Sequence, residues 1–462
     1  MAKKLMYNFE YIDYDHNWYK DISDKFQEQE IKNKKFINSK RLANQAFKYT
    51  TNTRAQNDSL VMSSGHGPFI MDIDNNIFLD FGSGIYVTNL GHSHPKITKA
   101  ISDEAKKLMH CHDYITPVKL AYFEKLASAC GDRYTNIHFY DNGTTAVEFA
   151  IKAAREITGY QDIISCFGDH HGKSIGTASI GRISHLNDFQ KASNFYMVPR
   201  PDCYRPLWVD NKGKIDVDQY INFYEVFIRE STSGNIAAFL LEPVQGWNGT
   251  IIPPDDFFPK LRKFCDSNNI LLIADEVLTG CGRTGNWLCM DDWGVEADIT
   301  ILGKGIGNGF PMSAMLAKKD YSDAISRVGP SSTFGGSPMA CAAGLSTLEI
   351  YSQDRVTENS RNIGNYLLNA LYELKEKYQI IGDVRGKGCL LGLEFILDRN
   401  TKEPFCEASE KFFSECLKRY LIPGIPVKNL IRIAPPLITS IELASDAISI
   451  MDDVLNHITS EL

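Results

Sequence analysis

Asp275 and Lys304 are the two residues of this sequence whose types and positions best suit catalysis. Each follows a short apolar run typical of a buried strand, Ile270 to Ala274 before the aspartate and Ile299 to Leu302 before the lysine. In parallel sheets, the carboxyl ends of neighbouring strands meet at the edge where ligands bind. A carboxylate there can keep a pyridine nitrogen protonated, and an amine can carry the coenzyme as a Schiff base. The pair therefore fits pyridoxal phosphate (PLP), with a surface salt bridge as the alternative.

The residues around this pair form a longer ordered pattern. In chain order the motifs are Asp275-Glu276-Val277, Thr279-Gly280, Gly282-Arg283-Thr284-Gly285, Ala297-Asp298-Ile299 and Gly303-Lys304-Gly305. This series resembles the class III aminotransferases, which are PLP enzymes of fold type I that act largely on amino groups remote from a carboxylate. The resemblance extends from about Gly65 to Ile448. It implies that Lys304 and Asp275 are the catalytic residues and that Val277 contacts the coenzyme.

The composition excludes several other classes of protein. The 462 residues carry a net charge of −8, which disfavours non-specific binding to nucleic acid. The N-terminal residues 1–20 lack the continuous apolar run of a secretory signal, and no run is long enough to span a membrane. We therefore expect a cytoplasmic protein without a membrane partner.

The eleven cysteines are scattered and include no C-x-x-C pair, which is typical of reduced thiols. Two His-x-His triplets, His110 to His112 and His92 to His94, have no second ligand pair at zinc spacing elsewhere in the sequence. We therefore expect no metal site.

Gly143 and Thr144 are the candidate ligands for the coenzyme phosphate. They follow a predicted strand, Ile137 to Tyr140, and precede an amphipathic helix that continues from Ala146 to Gly159. The free amides and the dipole at a helix N-terminus both favour an anion, although simple capping by Asn142 or Thr144 would explain the same residues. Relatives usually carry Ser-Gly-Ser or Ser-Gly-Thr and then Glu here, so Asn142 and Thr145 depart from the family pattern.

The resemblance also implies two coenzyme contacts from neighbouring strands. His170 stands where relatives have an aromatic residue that stacks on the PLP ring, and the alternative is a loop histidine without this contact. Glu242 opens the family signature Glu242-Pro243-Val244-Gln245-Gly246. Ornithine-type and 4-aminobutyrate-type members often have a switching Glu after this signature and a Gln at position 278. This chain has Trp247 and Leu278 there, which argues against a standard enzyme of either type.

Three further residues are candidates for substrate binding: Tyr86, Trp247 and Arg432. Arg432 lies in a segment that fits the family, and its guanidinium is expected to bind a substrate carboxylate through two hydrogen bonds. The alternative is a structural arginine on the surface. Tyr86 lies in a segment that lines the substrate pocket of relatives, although a packed core tyrosine would also fit. In the family, the threonine at the position of Thr333 binds the PLP phosphate of the neighbouring subunit. The resemblance therefore implies a homodimer with shared active sites.

The predicted fold is α/β, with a mainly parallel sheet flanked by helices and a smaller α/β domain. We expect an N-terminal segment at 1–65 that joins the small domain, a large PLP-binding domain at 66–337 and the small domain at 338–462. The implied activity is the transfer of an amino group from an amine or amino acid to an oxo acid. A racemase or epimerase on the same scaffold is the alternative, because the same lysine and aspartate serve both reactions. A catalytically silent PLP-fold protein is disfavoured by the intact Asp275 and Lys304.

Overall fold

The computed structural model describes residues 17–29, 37–46, 48–50, 60–181 and 191–461. Two predictions fall partly outside the described residues. They are the absence of a secretory signal in residues 1–20 and the N-terminal segment at 1–65. The helices are α1 (Lys20–Gln27), α2 (Ile37–Ala46), α3 (Pro95–Ala105), α4 (Pro117–Ala129), α5 (Gly143–Thr158), α6 (Ile175–Ser179), α7 (Val217–Ser231), α8 (Phe257–Ser267), α9 (Ser322–Arg327), α10 (Pro338–Gln353), α11 (Val356–Lys377), α12 (Cys406–Lys418) and α13 (Ile441–Ser460). The strands are β1 (Met62–His66), β2 (Phe69–Asp72), β3 (Ile77–Asp80), β4 (Asn136–Tyr140), β5 (Asp162–Cys166), β6 (Phe195–Val198), β7 (Ile236–Leu241), β8 (Leu271–Glu276), β9 (Ile299–Leu302), β10 (Ser313–Ala317), β11 (Ile381–Lys387), β12 (Leu390–Phe395), β13 (Leu421–Ile422), β14 (Ile425–Val427) and β15 (Leu430–Ile433).

A seven-stranded sheet forms the centre of the fold. Its strand order is β4-β10-β9-β8-β7-β5-β6. Only β10 runs against the other strands, since it pairs antiparallel with both β4 and β9 while the remaining neighbours are parallel. Strands β7, β8 and β9 are buried along their whole length. The prediction of a mainly parallel sheet flanked by helices is therefore confirmed.

Strands β8 and β9 bring the two predicted catalytic residues to one edge. The strands pair in parallel with Asp275 opposite Ile301 and Glu276 opposite Leu302. Lys304 follows two residues after β9 ends, so it emerges beside the end of β8. The sequence placed both strands correctly, although β8 extends through Asp275 and Glu276 rather than ending before them.

Helix α5 follows β4 directly, and local sequence fixes both of its ends. Asn142 caps the N-terminus by accepting a hydrogen bond at Oδ1 from the Thr145 amide, 2.9 Å away. Gly159 ends the helix in the left-handed region with φ of 73°. The side chains of Ala146, Val147 and Ile151 are buried against the sheet. This packing holds the first turn of α5 at the same edge as Asp275.

Two four-stranded sheets complete the architecture. The first has the order β1-β2-β3-β13, and β3 pairs in parallel with β13 from the C-terminal part. The second is antiparallel with the order β11-β12-β15-β14, and it carries Arg432 on β15 opposite Gly392 of β12. Within the part of the chain that the structure describes, no helix is long and apolar enough to cross a membrane.

Candidate active site

A cavity of about 300 Å³ opens at the carboxyl edge of the central sheet. Six of the residues predicted from the sequence line it: Gly143, Thr144, His170, Asp275, Val277 and Lys304. They come from the start of α5, the loop after β5, the end of β8 and the segment after β9. The structure therefore brings together residues that are more than 150 positions apart in the sequence.

Asp275 is buried at 3% exposure and has two hydrogen-bond partners. Its Oδ1 accepts from the Val277 amide at 3.1 Å, and its Oδ2 lies 2.7 Å from His171 Nδ1. On the other side, His171 Nε2 lies 3.0 Å from Ser165 Oγ, whose hydroxyl donates to Asp169 Oδ2 at 3.0 Å. His171 therefore bridges Asp275 to a second buried carboxylate.

This arrangement fixes the charge of His171. Burial disfavours the imidazolium, but hydrogen bonds and charge attraction from Asp169 and Asp275 outweigh it and raise the pKa of His171 to about 10. At neutral pH the ring is a cation that donates to Asp275. The hydrogen bond from this cation fixes the orientation of the Asp275 carboxylate in the cavity.

Lys304 is half-buried and begins a short 3₁₀ turn, Lys304–Gly307. Its backbone φ is 45°, which is strained for a residue with a side chain. Burial lowers the pKa of the Lys304 amine, with a further lowering by Arg432, while the charges of Asp275 and Glu242 act in the opposite direction. A lowered pKa raises the fraction of neutral amine, the form that acts as a nucleophile and a base.

The first turn of α5 offers backbone amides to the cavity. The Thr145 amide is capped by Asn142 Oδ1, and the Ala146 amide reaches the Asn142 carbonyl at 3.3 Å. The amides of Gly143 and Thr144 lie at helix positions that have no acceptor within the helix. An anion in the cavity at this terminus would also lie at the positive end of the helix dipole.

Two glycines keep the floor of the cavity open around Val277. A Cβ atom at Gly143 would lie 3.2 Å from both Val277 methyl groups, and one at Gly303 would lie 3.1 Å from Val277 Cγ1.

The cavity fits PLP through the two glycines, the helix amides, the carboxylate of Asp275 and the amine of Lys304. The amides suit its phosphate, Asp275 suits its ring nitrogen, and Lys304 suits its carbonyl carbon.

His170 and Glu242 occupy different positions relative to the cavity. The His170 ring lines the cavity, and burial lowers its pKa to about 4, so the imidazole is neutral. Glu242 lies outside the lining and is 6% exposed. Its Oε1 accepts from the His170 amide at 2.8 Å and its Oε2 from the Gly246 amide at 3.0 Å. Glu242 therefore joins two loops of the site rather than facing the cavity itself.

Arg432 lies outside the lining of the cavity, together with the other two predicted substrate residues, Tyr86 and Trp247. It is fully buried, and its Cζ lies 4.5 Å from the centre of the Trp247 ring and 5.3 Å from that of Tyr86. Its Nη1 donates to the Gly246 carbonyl at 3.4 Å. Trp247 in turn stacks on His170, with 5.3 Å between ring centres. The structure thus places all three substrate candidates in one cluster against the cavity wall.

Tyr86 reaches Arg432 from an unusual backbone turn. Four successive residues, Ser83 to Tyr86, have positive φ values of 46°, 55°, 67° and 65°. This is one turn of left-handed helix, which costs about 1–2 kcal/mol per residue with a side chain. Asp80 holds the turn by accepting from the amides of Gly82 and Gly84, and Ser83 Oγ donates to the Ala434 carbonyl at 2.6 Å. The turn is therefore fastened to the segment just beyond Arg432.

Thr333 lies apart from the other candidates. Its side chain is exposed, and it does not line the cavity of its own chain. Phe334 beside it is 68% exposed, and its ring contacts His110 at 5.8 Å between ring centres. The loop of Thr333 is thus continuous with the loop around His110.

Sequence reasoning missed His171, Ser165 and Asp169 as partners of Asp275. The sequence showed His170-His171 as a pair after a strand, but only the first was given a role. A polar residue at the end of a fully buried strand, as Ser165 is in β5, was the available signal, since such a group needs a partner. The corresponding signal in the turn after β5 was Asp169, whose side chain is fully buried.

Comparisons with known proteins identify the family. The model of the family "Aminotransferase class-III" matches residues 50–455. The alanine/serine racemase of Pyrococcus horikoshii is 33% identical over 406 residues, which cover 85% of each chain. The 5-aminovalerate aminotransferase of Pseudomonas putida is 32% identical over 401 residues, which cover 84% of this chain and 92% of that protein. The crystal structure of an amine transaminase from an uncultivated Pseudomonas species, in its PLP-bound form, aligns with a TM-score of 0.82 and 30% identity, covering 88% of this chain and 97% of that one.

The chain belongs to the class III aminotransferase family. Its fold is accordingly that of the fold-type I PLP enzymes, and its cofactor is PLP. The predicted family, fold class, cofactor and aminotransferase activity are all confirmed.

Proposed function

We propose that this enzyme moves an amino group from an amino acid to an oxo acid with Lys304 as base and Asp275 as partner of the PLP ring nitrogen. The observation that carries this assignment is the cavity itself, which Asp275, Lys304 and the free amides of α5 all line. When bound, PLP would supply an electron sink that stabilises the charge left when a proton leaves the carbon next to the substrate amine. The protein groups supply charge, orientation and proton transfer.

Lys304 Nζ performs the proton transfers in this proposal. The lowered pKa favours the neutral amine, which can take the proton from the substrate Cα. In amino transfer the lysine returns this proton to a carbon other than the substrate Cα, and water then releases the substrate as its oxo product while the amino group stays in the site. Lys304 has a strained backbone conformation and lies between two glycines. Such strain persists only where the surrounding structure holds the residue in place, which supports a functional role for this lysine.

Asp275 supplies the negative charge that keeps the ring nitrogen protonated. The cation of His171 holds this carboxylate at 2.7 Å and prevents it from rotating away. Gly143 and Thr144 bind the phosphate through their amides, and Val277 and His170 contact the coenzyme from the cavity wall. Glu242 supports the site indirectly, through the amides of His170 and Gly246.

Arg432 binds the substrate carboxylate in this proposal. A guanidinium presents paired donors that match the two oxygens of a carboxylate. Its charge contributes to the lowered pKa of the Lys304 amine, so the two groups interact electrostatically. Tyr86 and Trp247 pack on Arg432 and shape this end of the site.

We also propose a homodimer in which Thr333 binds the phosphate in the partner subunit. Thr333 is exposed and lies beside a patch of exposed apolar side chains, which we call the interface patch: Leu108, Met109, Tyr114, Ile115 and Phe334. Tyr114 is 81% exposed and Phe334 is 68% exposed, and such groupings typically mark protein contacts. A second copy covering this patch would bring Thr333 to a neighbouring cavity.

A cytoplasmic location is consistent with the cysteines. All eleven are free thiols, and Cys203 and Cys406 are the two that are exposed. Free thiols in this number are typical of a reducing compartment.

Racemisation of an amino acid is the second candidate function. The observation that favours it is the 33% identity to the alanine/serine racemase, beside 32% identity to the 5-aminovalerate aminotransferase. In this reaction a group on the opposite face returns a proton to the same Cα, and no oxo acid is consumed. The cavity residues serve either reaction.

A donor screen in the presence and absence of pyruvate or 2-oxoglutarate tests the proposal. We expect alanine formation from pyruvate, or glutamate formation from 2-oxoglutarate, with at least one amino-acid donor. The same donors, each as a single enantiomer, are incubated without an oxo acid and analysed by chiral chromatography. Appearance of the opposite enantiomer without any oxo-acid requirement would replace amino transfer by racemisation.

A further inference from the structure

A second cavity, of about 20 Å³, lies beside the active site, and we call it the inner cavity. Glu242 and Asp169 line it, together with the polar side chains of Arg200 and Gln245 and apolar residues that include Phe258. A single water molecule needs about 10–15 Å³ of free space and two to four polar partners. The inner cavity therefore has room for one water molecule, and the groups that line it decide whether this molecule is bound.

Gln245 brings a buried acceptor to the inner cavity. The residue is 4% exposed, and its Nε2 donates to Asp169 Oδ1 at 2.7 Å and to the Phe167 carbonyl at 3.0 Å. Both amide hydrogens are thus used, and this fixes which end of the amide is the oxygen. Within the described part of the chain, Gln245 Oε1 is buried and has no hydrogen-bond partner. A buried acceptor left unpaired costs free energy, so Oε1 needs a donor from outside the described chain.

Arg200 brings a buried donor to the same cavity. Its Nη1 donates to the Phe167 carbonyl at 2.7 Å, and Gln245 Nε2 contacts this same oxygen, so the two side chains are neighbours. Its Nε is buried and has no acceptor among the residues that the structure describes. An unpaired donor beside an unpaired acceptor requires a ligand that accepts and donates at once, as water does. The carboxylates of Asp169 and Glu242 in the lining disfavour an anion.

The amide of Gln245 connects this cavity to the active site. Asp169 is fully buried and accepts hydrogen bonds from Gln245 Nε2, from Ser165 Oγ and from the Cys166 amide. Ser165 in turn contacts His171 Nε2 at 3.0 Å. If the Gln245 amide rotated to satisfy its own oxygen, that oxygen would face the Asp169 carboxylate and the hydrogen bond would be lost. A ligand that donates to Oε1 prevents this rotation.

We propose that the inner cavity binds one water molecule, which accepts a hydrogen bond from Arg200 Nε, donates one to Gln245 Oε1 and so keeps Asp169 in position behind His171. Arg200 and Gln245 are then positioning residues, since neither lines the active-site cavity. The water molecule takes no part in the reaction. The proposal holds for amino transfer and for racemisation alike, because His171 stands behind Asp275 in either case.

Three variants of the PLP-loaded enzyme test the proposal. Cys166 lines the inner cavity, so Cys166→Val fills it without removing a hydrogen-bonding group of Arg200 or Gln245. Cys265→Val is the matched control, because Cys265 is buried in the same hydrophobic cluster but does not line the cavity. Arg200→Lys keeps the positive charge and removes the Nε–H group. The measurements are crystal structures and the pH titration of the low-field His171 Nδ1–H proton resonance, which is identified by its loss in His171→Gln. Thermal unfolding establishes that each variant is folded.

We expect solvent density within hydrogen-bond distance of both Arg200 Nε and Gln245 Oε1 in the wild type and in Cys265→Val, and no such density in Cys166→Val. The midpoint of the His171 titration should fall by about 0.5–1 pH unit in Cys166→Val and Arg200→Lys, because a less firmly held Asp169 stabilises the imidazolium less. Cys265→Val should keep the wild-type midpoint. If Cys166→Val does not fold, the wild-type structure and Arg200→Lys decide.

A wild-type structure without density bonded to both atoms would overturn the proposal. A folded Cys166→Val enzyme that lacks the water molecule and keeps the wild-type midpoint would overturn the positioning role. None of these measurements requires turnover, so a failure of the proposed function would not alter their outcome.

Discussion

His171 Nδ1 lies 2.7 Å from Asp275 Oδ2, and both side chains are buried. The same ring reaches Asp169 through Ser165, so one imidazolium lies between two carboxylates. The Asp275 carboxylate, which we propose faces the PLP ring nitrogen, therefore has a positive charge behind it. This arrangement also makes the charge state of the site depend on a histidine whose pKa is far above its ordinary value.

The stabilising effect of His171 should depend on pH. Its pKa is about 10 in the folded protein against an ordinary value of 6.5. A raised pKa means that the folded state binds the extra proton more tightly, so this contribution is fully present below pH 6.5 and is lost as pH rises towards 10. The difference in unfolding free energy between wild type and His171→Gln, measured at saturating PLP, should therefore shrink over this range. A difference that stays constant from pH 6 to pH 10 would mean that His171 is neutral in the folded protein.

Asp275→Asn should remove most of the activity without releasing PLP. The amide keeps the size of the side chain but cannot hold the ring nitrogen protonated, so we expect kcat to fall about 100-fold or more. Steady-state kinetics and the PLP absorbance of the gel-filtered variant check this. Asp169→Asn is the matched control, because it removes a carboxylate from the far side of His171, and it should have a smaller effect. Near-normal turnover in Asp275→Asn would refute the role of this carboxylate.

The helix amides can be tested with a pair of substitutions at Gly143. Proline is accepted at the first position of a helix, and Asn142 before it is already extended with φ −150° and ψ 157°, which suits a residue before proline. Gly143→Pro removes the amide N–H, while Gly143→Ala adds a Cβ and keeps the N–H. A hydrogen bond to a charged group contributes about 1.5–3 kcal/mol, so PLP should bind Gly143→Pro about 10- to 100-fold more weakly than Gly143→Ala.

Both Gly143 variants place a Cβ 3.2 Å from the Val277 methyl groups, so this contact cancels in the comparison. PLP affinity is measured by fluorescence titration of the apoenzyme. Equal affinities in the two variants would show that the Gly143 amide does not bind the phosphate.

Lys304 should be the residue that links covalently to PLP. Borohydride reduction followed by peptide mass spectrometry should find the coenzyme on Lys304, because it is the lysine that lines the cavity and burial lowers its pKa. Lys304→Ala should lose the absorbance of the bound coenzyme on gel filtration. Lys318, which pairs with Asp298 at 3.0 Å, is a control and should remain unmodified. Modification of another lysine in the wild type would overturn the assignment.

Subunit complementation tests whether Thr333 acts across a dimer. In a heterodimer of Lys304→Ala and Thr333→Ala chains, the site that keeps Lys304 receives Thr333 from the other chain, so one wild-type site is restored. Losing the hydroxyl should weaken PLP binding by about 1–3 kcal/mol, so the mixture should exceed both parents in activity at limiting PLP. Thr333→Ser keeps the hydroxyl and should behave as wild type. If subunit exchange occurs and activity is not restored, Thr333 acts within its own chain.

The parts of the site that the sequence predicted are those fixed by local pattern. Asp275 and Lys304 follow apolar runs that could only be buried strands, and Gly143 lies where a strand turns into a helix with a clear cap. The sequence therefore located the cavity edge and six of the residues that line the cavity. The positions of Asp275 and Lys304 alone fit either a PLP site or a surface salt bridge. The resemblance to a family then favoured PLP.

The contacts that sequence reasoning could not supply depend on tertiary structure. His171 meets Asp275 across 104 positions, and Trp247 meets Arg432 across 185, so no local period links them. Tyr86 lies on a left-handed turn that goes against the backbone preference of Ile85. The local hydrogen bond to Asp80 and the long-range hydrogen bond to Ala434 outweigh this preference, and the second of them could not be predicted from the sequence. The proposed contact of Thr333 with a phosphate requires a second chain, which one sequence does not describe.

The pairing of β3 with β13 has a consequence for biosynthesis. Leu79 in β3 pairs with Leu421 in β13, and the Phe81 carbonyl accepts from the Ala434 amide. Ribosomes add about 5–20 residues per second, so roughly 20–70 s pass between the appearance of β3 and that of its partner strand. During this interval the β1-β2-β3 hairpins present an unpaired, apolar edge that can join other nascent chains. The left-handed turn that carries Tyr86 also lacks its hydrogen bond to Ala434 until then, so a stalled or shortened chain would keep this edge unpaired and be prone to aggregate.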